Sequence, residues 1–167
     1  LRSTTLESVP VGVVVERRRA KSVWAEFLWR PVSVFAGTPS AEPWTALDVQ
    51  AESMLFYAGE ALIELHRTET AYYRDNLACG TPKLWVVLGP TGSDRPYELL
   101  AVTADPAQGE ASTDAGNNLV EAVPMPQDIL AIVGQFIATH HVERPFIKRR
   151  RQPAEFDRQK DGQGNGT

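Results

Sequence analysis

Along the first hundred residues, apolar positions alternate instead of recurring at helical spacing. Val9, Val11, Val13 and Val15 fall on one side of a run rich in β-branched residues, which predicts a strand over 9–15. Pro10 suits the start or the edge of such a strand. A second extended stretch covers 24–35. There Phe27 and Trp29 share one parity and Val32 and Val34 the other. A bulge or bend at Arg30-Pro31, where proline cannot donate to a ladder, would keep both halves facing the core. Residues 37–43 read as a loop. Residues 53–67 read as a hairpin: Met54 to Tyr57, a turn at Ala58-Gly59-Glu60, then a return strand. On that strand Ala61, Ile63 and Leu65 face one side, and Leu62, Glu64 and His66 the other.

The pattern then becomes mixed. Residues 68–77 predict a short helix or ordered crossover, stopped by Gly80 and Pro82. Residues 83–88 and 97–103 predict two further strands joined by the loop 89–96. A short helix over 106–115 and a short strand over 120–124 follow. The plainest helix comes last, over 126–140. Ile129, Ile132, Val133, Phe136 and Ile137 make one apolar stripe, with Pro126 and Asp128 at its start. Strands in runs followed by a helix predict an α+β fold. The expected architecture is a mostly antiparallel bent sheet or partial barrel carrying a C-terminal amphipathic helix, with a pleckstrin-like topology as one arrangement. Trp24, Trp29, Trp85 and Phe136 are its expected large core side chains.

Composition adds bounds. The 167 residues, 43% hydrophobic and 23% charged, suit one globular domain at roughly 150 residues per domain. The domain is expected to span 1–151, ending in a basic segment, with 152–167 as a disordered tail too poor in apolar residues to offset its ordering entropy. The first apolar run, 9–15, is far shorter than the ~20 residues of a membrane helix. Arg17, Arg18 and Arg19 follow it, where a secretory signal would place them before. A cytoplasmic protein without membrane attachment is expected. The net charge of −4 is unevenly spread. Residues 143–161 hold seven basic and four acidic side chains, +3 in all, which leaves −7 on the rest.

Candidate chemistry is sparse. Cys79 is the single cysteine, so no intrachain disulfide forms, and no histidine is near it in sequence to activate the thiol. His140 and His141 are adjacent and would diverge by about 100° on a helix, unlike the i, i+4 pair of a zinc-binding helix. His66 is the third histidine. Leu88-Gly89-Pro90-Thr91-Gly92-Ser93 lacks the Gly-Lys-Ser/Thr of a phosphate loop and lies between strands, so a hairpin loop is expected. Glu60, Glu64, Glu69 and Asp75 have no spacing that forces any two together. No metal and no cofactor is expected. Two basic runs stand out: 17–21 and 144–151. In the second, Arg144, Phe146, Lys148, Arg149, Arg150 and Arg151 combine an aromatic anchor with steering charge. They are the candidate contacts to a protein partner. The acidic remainder argues against nucleic acid.

Several blocks also resemble a proteobacterial domain family of unknown function. These are Val11-Gly12-Val13-Val14-Val15-Glu16-Arg17-Arg18, Trp24 with Trp29-Arg30-Pro31-Val32, and Leu65-His66-Arg67-Thr68-Glu69-Thr70 with Tyr73 and Asn76. Val120-Glu121-Ala122-Val123-Pro124-Met125-Pro126 and His140-His141-Val142-Glu143-Arg144-Pro145-Phe146 continue the match, in order over about residues 8–151. Members are often labelled "molybdopterin-guanine dinucleotide biosynthesis protein A", and their genes tend to lie beside those of formate dehydrogenase. The resemblance implies a non-catalytic accessory factor for maturation of a molybdenum enzyme such as formate dehydrogenase, and it supplies no catalytic residues. The alternatives are a molybdopterin guanylyltransferase, as the label says, and a small RNA-binding domain. Guanylyltransferases of that name open with a glycine-rich loop after the first strand; here Glu16-Arg17-Arg18-Arg19 stands instead.

Overall fold

A computed structural model describes residues 5–142 apart from 22, 24, 25, 94 and 115. The chain runs β1 (Thr5–Arg19), β2 (Phe27–Ala36), β3 (Thr45–Val49), β4 (Ser53–His66) and, after one 3-10 turn, α1 (Thr70–Ala78). It continues with β5 (Lys83–Pro90), β6 (Tyr97–Thr103), α2 (Pro106–Thr113), β7 (Leu119–Pro124) and α3 (Gln127–His140). The class is α+β, with every strand pair antiparallel. One sheet has the order β2-β1-β4-β3 and the other β6-β5-β7. A sheet of four, a sheet of three and a closing helix match a pleckstrin-like inventory. The strand order does not, because β1 lies between β2 and β4.

The alternation of β1 sets the core. Val9, Val11, Val13 and Val15 are all buried, facing Leu84, Val86 and Leu88 of β5 and the α3 stripe of Ile129, Val133 and Phe136 in one cluster. Ile132 and Ile137 are half-buried at its margin. β6 runs beside β4, and β7 beside β2, but no ladder joins the two sheets among the described residues. The two sheets are separate in hydrogen bonding and share one core. At the N-terminus of α2, Asp105 accepts the Ala107 N–H at 2.9 Å and Pro106 opens the helix.

Three expectations are corrected. Residues 53–66 are not a hairpin but one continuous strand, paired with β1 along its length. Gly59, at φ 131°, belongs to a bulge in which Ala58 is the extra residue between Val13↔Gly59 and Val14↔Tyr57. The return strand still faces as expected, with Ile63 and Leu65 buried and Leu62 and Glu64 exposed. In β2 the bulge is real but lies at Val32, between Val14↔Ser33 and Val15↔Pro31, so Pro31 keeps the phase of Phe27 and Trp29 and is itself buried. β3 falls in a stretch without alternation and was not foreseen; it is an edge strand exposed throughout. Phe136 is buried, whereas Trp29 and Trp85 are half-buried, less enclosed than expected. Trp24 and the segment 143–167, including the tail 152–167, lie outside the described residues.

Candidate functional site

The bulges at Ala58 and Val32 sit on either side of β1 at the same level, Val13 to Val15. Each extra residue bends its strand and resets which side chains point inward. Beyond this line the four-stranded sheet extends past the core. Its inward face there carries Arg17 and Arg19 from β1, which continue the parity of Val9 to Val15. Opposite Arg17 stand Trp29 on β2 and Met54 on β4; opposite Arg19 stands Phe27; opposite Val15 stands Phe56.

These side chains form one half-buried aromatic cluster. Trp29 is its hub, with ring centroids 5.9 Å from Trp44, 5.8 Å from Phe56 and 6.3 Å from Tyr97. The contacts with Trp44 and Tyr97 are edge-to-face, the arrangement the ring quadrupoles favour. Trp44 is the one non-glycine residue with positive φ among the described residues, at 70°. For a bulky side chain this is a real outlier, and such strain concentrates at functional positions. It places the indole against Trp29 and Phe56.

The Arg17 guanidinium lies 4.3 Å from the Phe27 centroid, 5.4 Å from Phe56 and 5.7 Å from Trp29. Its Nη2 also reaches Met54 Sδ at 2.8 Å. Thioether sulfur is a weak acceptor, so ring contacts hold this cation. On the opposite side of the sheet, Glu16 is paired with Arg18 and Arg30, each at 3.5 Å. Among the described residues no carboxylate pairs with Arg17 or Arg19. A cleft of about 140 Å³ opens at this end, lined by Arg17, Arg19, Phe27, Val49, Glu52 and Met54 among others.

The residues singled out from the sequence lie elsewhere. Cys79 is exposed at the end of α1, its thiol donating to the Asn76 carbonyl at 2.9 Å. The histidines gather at one end of α1 and α3 but play separate parts. The His66 N–H donates to the Tyr73 hydroxyl at 3.0 Å, His140 stacks on Phe136, and His141 Nδ1 lies 2.9 Å from Thr70 Oγ1. His141 Nε2 is buried with no hydrogen-bond partner among the described residues. No group of three or more His, Cys, Asp or Glu side chains suited to a metal ion occurs among the described residues. Glu60, Glu64 and Asp75 are exposed and Glu69 half-buried. The loop after Gly89 is a hairpin loop, in which the Thr91 hydroxyl bonds to the Arg95 carbonyl. No helix among the described residues is long and apolar enough to cross a membrane. The proposed contacts Arg144, Phe146, Lys148, Arg149, Arg150 and Arg151 lie outside the described residues.

A family model, "Protein of unknown function (DUF3305)", matches residues 10–150. The chain belongs to this family. No curated protein and no solved structure matches it. The DUF3305 match spans every strand and helix of both sheets except the first residues of β1. Blocks that carried the resemblance meet in the fold: Glu16 and Arg17 pair with Arg30 and Trp29, and Thr70 touches His141. The aromatic face was the part sequence reasoning missed. Its signal was Arg17 falling in phase with Val15, hidden inside what reads as a solvated basic run.

Proposed function

We propose that the protein is a non-catalytic accessory factor that binds a protein partner during maturation of a molybdenum enzyme such as formate dehydrogenase. The observation that carries the binding role is the Arg17 guanidinium held among Phe27, Phe56 and Trp29 beside a cleft at the end of the sheet. Aromatic side chains and arginine are enriched at protein interfaces. The molybdenum enzyme as client is drawn from the family resemblance. Arg144, Phe146, Lys148, Arg149, Arg150 and Arg151 supply a second contact, in which charge raises the association rate and Phe146 anchors.

The test is a strain lacking the gene, assayed for formate dehydrogenase activity, molybdenum content and the enzyme polypeptide. Reduced or lost activity with the polypeptide still made is expected; normal activity overturns the assignment. Calorimetry with GTP and Mg²⁺ distinguishes the guanylyltransferase reading. Micromolar binding would replace the accessory role by an enzymatic one.

A further inference from the structure

We propose that the cleft beside Phe27 takes an acidic side chain of a protein partner, with Arg17 as the anion anchor and the neighbouring rings receiving an adjacent apolar residue. This rests on the binding role above but not on which enzyme is served.

The chemistry of Arg17 makes the case. A guanidinium has five N–H donors in its plane and accepts contacts on its faces. Here aromatic rings hold it, and among the described residues its one hydrogen bond goes to the Met54 sulfur. A carboxylate is the acceptor that matches the remaining in-plane donors, in a bidentate, charge-assisted pair. Glu16 lies on the other side of the sheet, where Arg18 and Arg30 flank it. Arg19 joins Arg17 on the cleft side, and among the described residues Glu52 is the one acidic side chain in the cleft wall, so that lining nets +1.

Size and ring geometry select the occupant. At about 140 Å³ the cleft falls below the roughly 300–1,000 Å³ of small-molecule sites. It has room for a side chain, with Val49 exposed at its margin as an apolar contact for the next residue. Phe27 is the ring that lines the cleft among the described residues, and the Arg17 guanidinium lies over it at 4.3 Å, which takes up a face that a nucleobase would stack on.

The experiment selects a displayed library of random twelve-residue peptides on the immobilised full-length protein, then measures the enriched peptides by fluorescence anisotropy. Enrichment of Asp or Glu next to an aromatic or aliphatic residue is expected. Changing that acid to its amide should weaken binding at least tenfold. Arg17→Gln should weaken the acidic peptide as much, and the amide peptide hardly further, so that the two changes fail to add. Should Arg17→Gln not fold, the exposed Arg19→Glu serves instead, with a loss of at least fivefold and an unchanged melting temperature. No enriched peptide, enrichment without acidic residues, or equal binding to the variants overturns the proposal. So does tighter binding of a twelve-nucleotide oligouridylate that Arg17→Gln weakens, which would assign the face to RNA. A dimer in light scattering that Arg17→Gln dissolves would assign it to a second copy. A normal deletion strain with acidic peptides selected would remove the molybdenum client and leave this inference standing; the converse result would remove only this inference.

Discussion

Asn76 and Tyr73 sit one turn apart on α1, and both are buried. The Asn76 amide donates to the carbonyls of Lys83 and Ala104 at 2.8 and 3.0 Å, and its oxygen accepts the Lys83 N–H at 3.0 Å. One side chain thus ties α1 to both β5 and the end of β6. Asn76→Ala leaves these backbone groups without a partner and should cost about 3 kcal/mol, read from urea unfolding. Tyr73 is governed by protonation. Burial pushes its hydroxyl up to about 12 from the ordinary tyrosine value of 10.0; the His66 bond opposes the rise, and Asp105 and Glu69 add to it. A pKa raised on folding stabilises the fold fully below the unfolded value and loses that contribution as pH climbs to the folded one. Stability should therefore fall between about pH 10 and 12 beyond the loss shown by Tyr73→Phe, which unfolding titrations over that range would reveal. No periodicity announced either role, because the partners of both side chains are backbone groups distant in sequence or one strand away.

At the scale of the element, β1 and α3 were readable because each buries one regular face: period two for Val9 to Val15, and the helical stripe ending at Ile137. Phe136→Ala should cost about 3–5 kcal/mol, since the ring is 2% exposed and packs on Tyr73. A change below about 1 kcal/mol in equilibrium unfolding would place the stripe outside the core. β4 was misread because a glycine in an apolar run signals a turn and a bulge alike. Only the pairing with β1 separates them, and pairing is not a local property. α2 makes a sharper case. A Cβ on Gly109 would meet the Trp85 ring and its Cβ at 2.5–2.9 Å. Alanine gains about 1 kcal/mol of helix propensity. Overpacking against the root of a side chain costs about 1–3 kcal/mol. Gly109→Ala should therefore destabilise, lowering the urea midpoint, while a neutral result would mean that α2 slides on β5 without penalty.

For the whole molecule, charge is arranged in two tiers: +3 over 143–161 against −7 elsewhere, and within the sheet one side with Glu16 in ion pairs and the other with Arg17 and Arg19, which have no ion pair among the described residues. Reversing the charges of Lys148, Arg149, Arg150 and Arg151 should leave the melting temperature unchanged and abolish rescue of a deletion strain. Rescue that survives this change and Phe146→Ala together would reduce the segment to a solvated tail. The α+β class was legible in the sequence; the strand order was not, because it depends on β1 accepting neighbours on both edges. That order has a consequence in time. During synthesis β1 can pair with β2 early, but its other edge waits until His66 has emerged, 47 residues after Arg19. At roughly 5–20 residues per second this is an interval of about 2–9 s. Through it an apolar strand stands half-paired, open to neighbouring chains, and its ladder then has to close across a long loop, a slow step in folding. The aromatic face at the Arg17 end of the same ribbon also takes in Tyr97, so it is complete only once β6 has emerged.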